Sequence, residues 1–217
     1  MGEYVTSVSA KNQVIESDLV SYIGNPNGDY RVLVLGNSIT RHGPKADIGW
    51  HGDWGMAASS AEKDFVHRLF NMIADSGKDL YMRIRQGAHW ECNFNKEDCL
   101  PLFSGDRDFN ADLIVFRLGD NVKLSDTPYF KDALIKFISF LKKENTKFVF
   151  TTCFYNSSER NDVLFEVAEM FESPCVDIIC KDRTKYTAEG LFEHSGVAGH
   201  PGDLGMEMIA EGIFKEI

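Results

Sequence analysis

Long apolar runs are absent from this chain of 217 residues. No stretch approaches the ~18 consecutive apolar residues that a membrane-crossing helix needs, so no membrane span is expected. The opening residues Met1-Gly2-Glu3-Tyr4-Val5-Thr6 have no positive region followed by an apolar run, and an export signal is not expected either. Basic residues are scarce, 23 Lys and Arg against 33 Asp and Glu, and the formal net charge of −10 leaves no basic stripe to neutralise a phosphate backbone. Nucleic acid is therefore not an expected partner. The five cysteines (Cys92, Cys99, Cys153, Cys175 and Cys180) are odd in number and include no Cys-x-x-Cys pair. A reduced, cytoplasmic setting is the simpler expectation. Repeats, low-complexity tracts and Pro/Ser-rich linkers are missing too, which predicts one domain over 1–217, with 43% hydrophobic residues to fill its core.

What the chain does contain is an alternation of two periodicities. Arg31-Val-Leu-Val-Leu35 is a short β-branched run ending at Gly36, the pattern of a strand buried on both faces of a parallel sheet. Leu80 to Arg85, Ala111 to Leu118, Lys147 to Thr152 and Cys175 to Ile179 predict four more strands. Between them lie stretches of helical period. Ser59-Ser-Ala-Glu62 resembles a capping box before Phe65, Leu69, Phe70 and Ile73, while Pro128 to Asn145, Arg160 to Phe171 and Asp203 to Phe214 predict further helices. Strands alternating with helices imply an α/β fold, a parallel sheet of about five strands covered on both faces. Residues 1–30, patterned only by the turn Asn25-Pro-Asn-Gly28, are expected to form an N-terminal arm packed on the domain.

In such a sheet, ligands bind at the carboxyl ends of the strands, in the loops after Leu35, Arg85, Leu118 and Thr152. Three segments there or nearby could carry chemistry. Gly36-Asn37-Ser38-Ile39-Thr40 leaves the first strand, where a hydroxyl would project into the cleft; read alone, Ser38 could equally cap the next helix. Gly199-His200-Pro201-Gly202 precedes the last helix and presents an imidazole on a turn, suited to taking a serine proton and returning it. Arg117-Leu118-Gly119-Asp120-Asn121 offers an amide that could donate to an oxyanion, or simply a Gly-Asp-Asn turn.

Together these segments resemble the SGNH (GDSL-like) hydrolase family, from Arg31 to the end of the sequence. Gly-Asn-Ser-Ile-Thr is similar to the family's Gly-Asp-Ser block with Asn37 in the Asp place, Gly119-x-Asn121 to its Gly-x-Asn block, and Gly199-His200-Pro201 to the segment that bears the catalytic His. The resemblance implies a three-layer α/β/α, flavodoxin-like sandwich and a serine esterase or acylhydrolase needing neither metal nor organic cofactor. Ser38 would be the nucleophile, His200 the general base, and the Ser38 and Gly87 amides with the Asn121 side chain the oxyanion donors. The family's acid sits three residues before the His, and here that place holds Val197. A main-chain carbonyl near Val197 is the first candidate to orient His200, Glu193 the second, with Glu91 and Asp203 behind them. The implied substrates are small esters, among them carbohydrate acetyl esters, lysophospholipids, thioesters and aryl esters.

Other readings stay open at this point. A non-catalytic binding domain would fit the loss of the acid at Val197. The long loop from Asn37 to about Ser60 carries His42, Asp47, His51 and Asp53, which would suit a metal-dependent hydrolase, although their spacing matches no ligand signature. Cys153 ends the fourth predicted strand and offers a second nucleophile, although a cysteine there more often packs. Trp50 and Trp54 could stack on a sugar face or serve as a hydrophobic lid. The oligomeric state is left open.

Overall fold

The computed structural model describes residues 19–217. Val20–Gly24 (β1), Tyr30–Gly36 (β2), Leu80–Gln86 (β3), Leu113–Arg117 (β4), Lys147–Thr151 (β5) and Cys175–Val176 (β6) form one sheet in the order β1-β3-β2-β4-β5-β6. The helices are Phe65–Asp75 (α1), Ala88–Asn93 (α2), Ser104–Asp108 (α3), Thr127–Leu141 (α4), Ser158–Met170 (α5), Arg183–Tyr186 (α6), Ser195–Ala198 (α7) and Asp203–Phe214 (α8).

Alternation along the strands divides the core into two layers. Val32 and Val34 of β2, Leu113 and Val115 of β4 and Val149 of β5 pack with Phe65, Leu69 and Ile73 of α1 and Met206, Ile209 and Ile213 of α8. Their neighbours Leu33, Leu35, Ile114, Phe116, Phe148 and Phe150 face the opposite way, onto Trp90 of α2, Phe130, Leu134 and Phe137 of α4 and Leu164 of α5. Side chains at successive strand positions point to opposite faces, so runs that are apolar at every position need a helical layer on each side. Each fully buried Leu, Ile or Phe contributes roughly 1.5–3 kcal/mol relative to exposure, which is what fixes the layers.

Strands β2 to β6 are parallel, as expected. The expected arm is corrected in part: Val20–Gly24 adds a sixth strand, antiparallel to β3, at the sheet edge. Residues 1–18 of that arm lie outside the described residues. The start of α1 also differs from the capping-box reading. Ala61–Lys63 is a separate 3₁₀ turn, and Asp64 caps α1 by accepting the His67 N–H at 2.7 Å. No helix among the described residues is long and apolar enough to cross a membrane.

Candidate active site

Ser38 stands two residues beyond the end of β2, in a turn that its neighbours define. A Cβ at Gly36 would collide with the Thr40 side chain and lie 2.9 Å from the Arg117 carbonyl oxygen, so the close approach here calls for glycine. The Asn37 carbonyl accepts the Thr40 and Arg41 N–H groups at 2.9 and 3.0 Å, and Asn37 Oδ1 accepts the Ile39 N–H at 3.2 Å. Among the described residues, the Ser38 N–H has no protein partner. The long loop returns to this turn, where the Met56 N–H donates to the Ser38 carbonyl at 2.9 Å.

The Ser38 hydroxyl donates to His200 Nε2 at 2.7 Å across 162 residues of sequence. His200 Nδ1 faces the Gly196 carbonyl at 2.6 Å. A carbonyl oxygen can only accept, so Nδ1 carries the proton and Nε2 of the neutral ring is the acceptor that a general base requires. Burial pushes the His200 pKa down to about 4; the Gly196 carbonyl opposes this, and the Arg117 guanidinium adds to it. The backbone around the ring is tied on both sides: the His200 carbonyl accepts the Ala188 N–H at 3.0 Å, and the Gly199 carbonyl accepts the Tyr155 hydroxyl at 3.0 Å.

Val197, in the family's acid position, is fully buried among Trp50, Met56, Ala57 and Ala188. An apolar residue suits that site, and the neighbouring Gly196 carbonyl takes over the ring. The expectation for Glu193 is corrected: its side chain is exposed and makes no bond to His200. Asp203 binds the Ser59 N–H and hydroxyl at 2.8 and 2.7 Å, and Glu91 accepts from Asn37 Nδ2 at 3.2 Å, so neither is bonded to His200.

Asn121 follows β4, the neighbour of β2, with Gly36 and Arg117 paired in register. Gly119 turns the chain with φ +131°, and a Cβ there would lie 2.8 Å from Cys153 Sγ. The Asn121 side chain donates to Glu91 Oε2 at 2.7 Å, which leaves its second amide hydrogen for a ligand. Gly87 is corrected as an oxyanion donor. Its N–H continues the β2–β3 ladder onto the Gly36 carbonyl at 2.5 Å and is not free.

Beneath the turn runs a buried polar network. Arg117 donates to Asn37 Oδ1 at 2.7 Å and to Asp120 Oδ2 at 2.5 and 3.0 Å. Asp120 Oδ1 accepts the Tyr155 N–H at 3.1 Å, so Arg117 joins the nucleophile turn, the Asn121 segment and the residue that holds Gly199. Asn37 Nδ2 donates to Glu91 Oε1 at 3.2 Å. A carboxylate in place of this amide, as in the family, would instead set two buried acids together, which gives the departure at Asn37 a physical reason.

The competing nucleophile is poorly suited to attack: Cys153 is buried, and burial pushes its thiol pKa up, so it stays protonated. Among the described residues the metal-compatible group is not the loop set but His89, Glu97 and Cys99, whose ligand atoms lie within 4.8 Å of one another. In the loop, Asp53 pairs with Arg41 at 2.8 Å. Trp50 is buried, donates to the His42 carbonyl and packs edge-on against Trp54 at 5.6 Å, so it supports the His200 turn rather than offering a face to solvent. The Gly196 carbonyl stands where a main-chain acceptor near Val197 was expected, whereas the role of Glu91 carried no local signal, because it depends on contacts 28 to 54 residues away.

No protein-family model and no curated protein matches the sequence. Solved structures do. A catalytic mutant of Axe2, an acetylxylan esterase from Geobacillus stearothermophilus, matches with TM-score 0.54 and 13% identity over 89% of this chain and 95% of its own. An active-site mutant of a family two carbohydrate esterase from Clostridium thermocellum matches with TM-score 0.61 and 14% identity over 89% of this chain and 64% of its own. The psychrotrophic esterase EstA from Pseudoalteromonas sp. matches with TM-score 0.57 and 13% identity over 87% and 96%. With a mixed six-stranded sheet between helices on both faces, the chain has the fold of the SGNH (GDSL-like) hydrolases.

Proposed function

We propose that this protein is a serine esterase acting on short acyl esters, carbohydrate-linked ones first. The observation that carries the reading is the Ser38–His200 pair, with the hydroxyl on Nε2 and the proton of Nδ1 held by the Gly196 carbonyl. Ser38 Oγ attacks the ester carbonyl as His200 Nε2 takes its proton. The Ser38 N–H and the free Asn121 amide hydrogen face the developing oxyanion. Collapse expels the alcohol, protonated by His200, and leaves an acyl-Ser38; water, deprotonated by the same nitrogen, then releases the acid. The His200 imidazolium is balanced by a carbonyl dipole instead of a carboxylate, so turnover is modest.

Two of the similar structures are an acetylxylan esterase and a carbohydrate esterase, which supports a sugar-linked acyl group as substrate. A groove of about 450 Å³ lined by Ala57, Phe192, Leu191 and Leu204 adjoins the His200 turn and offers room for the part of the substrate beyond the ester.

The test is hydrolysis of p-nitrophenyl acetate and acetylated xylan by the wild type and Ser38→Ala, with and without a chelator, alongside labelling by a fluorophosphonate. Turnover that survives the chelator and dies with Ser38, together with labelling at Ser38, is the expected result. An inert, unlabelled wild type leaves a binding domain, and loss of activity to the chelator leaves a metal enzyme.

A further inference from the structure

Glu91 is a carboxylate that the Ser38–His200 pair does not use. It is fully buried on the short helix α2 and accepts from four N–H groups: Asn37 Nδ2 at 3.2 Å, the Gly119 amide at 2.5 Å and the Asn121 amide at 3.4 Å on Oε1, and Asn121 Nδ2 at 2.7 Å on Oε2. Arg117, the neighbouring cation, directs its own hydrogen bonds to Asp120 and Asn37. Every partner of Glu91 therefore belongs either to the nucleophile turn or to the Gly119–Asn121 segment.

We propose that Glu91 is a positioning residue that sets the Asn121 side-chain amide, and through it the oxyanion donor, for the esterase reaction. The inference rests on the esterase reading above and adds to it a fourth side chain.

The geometry of an amide makes the case. Asn121 is exposed, and nothing but its partners decides which way round its amide sits. Burial pushes the Glu91 pKa up, and the Gly119 amide, the Asn121 side chain and the Arg117 guanidinium pull it back down. With N–H donors on both of its oxygens, the carboxylate form accepts the NH₂ end of Asn121 and cannot receive Oδ1. The NH₂ group is planar with its carbonyl, and fixing one N–H on Glu91 fixes the direction of the other. Flipped, the amide would turn Oδ1 toward the developing oxyanion and repel it. Gly119 N–H and Asn121 N–H on the same carboxylate hold the backbone of that segment, and Asn37 Nδ2 links it to the residue before Ser38. Donors that are already oriented need no reorganisation when charge develops, and one such donor is worth about 10²–10³ in kcat. The acid missing from the base side of the site is thus matched by one beneath the oxyanion side.

The experiment is a double-mutant cycle on the full chain with p-nitrophenyl acetate, the active sites being counted by fluorophosphonate titration. Glu91→Gln can turn either end of its amide to Asn121. It is expected to lower kcat by about tenfold or more with KM nearly unchanged, and to weaken a trifluoromethyl ketone inhibitor in parallel, while the acid limb of the pH profile stays where His200 puts it. In an Asn121→Ala background the same change is expected to cost less than about twofold, because the group it positions is gone. Equal losses in both backgrounds overturn the assignment and leave Glu91 a packing residue. If Glu91→Gln does not fold, the wild-type Asn121 side-chain amide decides by NMR: two distinct hydrogens, one of them exchange-protected, support the anchor, and a freely averaged pair overturns it. A wild type inert to both ester and fluorophosphonate overturns the esterase reading and this role with it; an active wild type with equal losses overturns this role alone.

Discussion

The Gly196 carbonyl stands 2.6 Å from His200 Nδ1, beside Val197, the position where the SGNH (GDSL-like) sequence pattern sets an acid. It supplies the tautomer that a general base needs without adding a negative charge. Burial can then dominate the imidazole and hold its pKa down to about 4.

The first expectation concerns pH. The neutral ring is the active form, and a lowered pKa keeps it neutral to lower pH. Activity is expected to persist down to about pH 5 and to fall as pH drops through about 4, instead of failing near the ordinary histidine value of 6.5. A kcat/KM profile between pH 3.5 and 8 measures this, and an acid limb centred at 6 to 7 contradicts it.

Restoring the family's acid is expected not to help. Val197→Asp would place a carboxylate among Trp50, Met56, Ala57 and Ala188. The unpaired charge costs about 3 kcal/mol or more, and no gain in kcat is expected. Thermal denaturation beside ester hydrolysis reads both effects; a variant as stable as wild type and faster would show that the pocket admits the acid.

The substitution Asn37→Asp, which restores the family's block, is expected to be worse than a neutral exchange. Asn37 Nδ2 donates to Glu91 at 3.2 Å, and a carboxylate in its place would turn that bond into a contact between two buried acids that cannot both ionise. The loss is expected to be about 2 kcal/mol or more at pH 7 and to shrink on acidification, as one carboxyl takes a proton. Denaturant titrations at pH 7 and pH 5 check the sign.

Gly119→Ala carries two penalties, a φ of +131° and a Cβ placed 2.8 Å from Cys153 Sγ. About 1–3 kcal/mol of stability is expected to go. The segment bearing Asn121 shifts with it, so kcat is expected to fall more than KM changes. A variant with wild-type melting and wild-type kcat would refute this.

The strands from β2 to β5, helix α8 and the positions of Ser38 and His200 were legible because they rest on local signals: apolar runs ending in glycine, and a Gly-His-Pro-Gly turn before an amphipathic stretch. What escaped was set by distant partners. Val20–Gly24 has only weak alternation, and it becomes a strand because the free edge of β3 offers it Arg85 to Tyr81 as partners. Gly87 had the right place for an oxyanion donor, but its N–H direction follows from the register of β3 on β2, which puts it on the Gly36 carbonyl. Glu193 looked able to reach His200 in sequence and points to solvent in space. The start of α1 slipped by several residues because Ser59 and Asp64 both suit a cap, and only Asp64 also receives the Gly55 N–H, which locks the preceding loop onto the helix.

The 162 residues between Ser38 and His200 also order events in time. The nucleophile turn is synthesised early, but its base reaches it only after β3 to β6 and the turn before α8 have been made and docked. On the esterase reading proposed above, a nascent chain carrying Ser38 is therefore chemically silent. Esterase activity, where it arises, reports completion of the whole fold, and a proteolytic nick that releases the last helix would extinguish it without touching the serine.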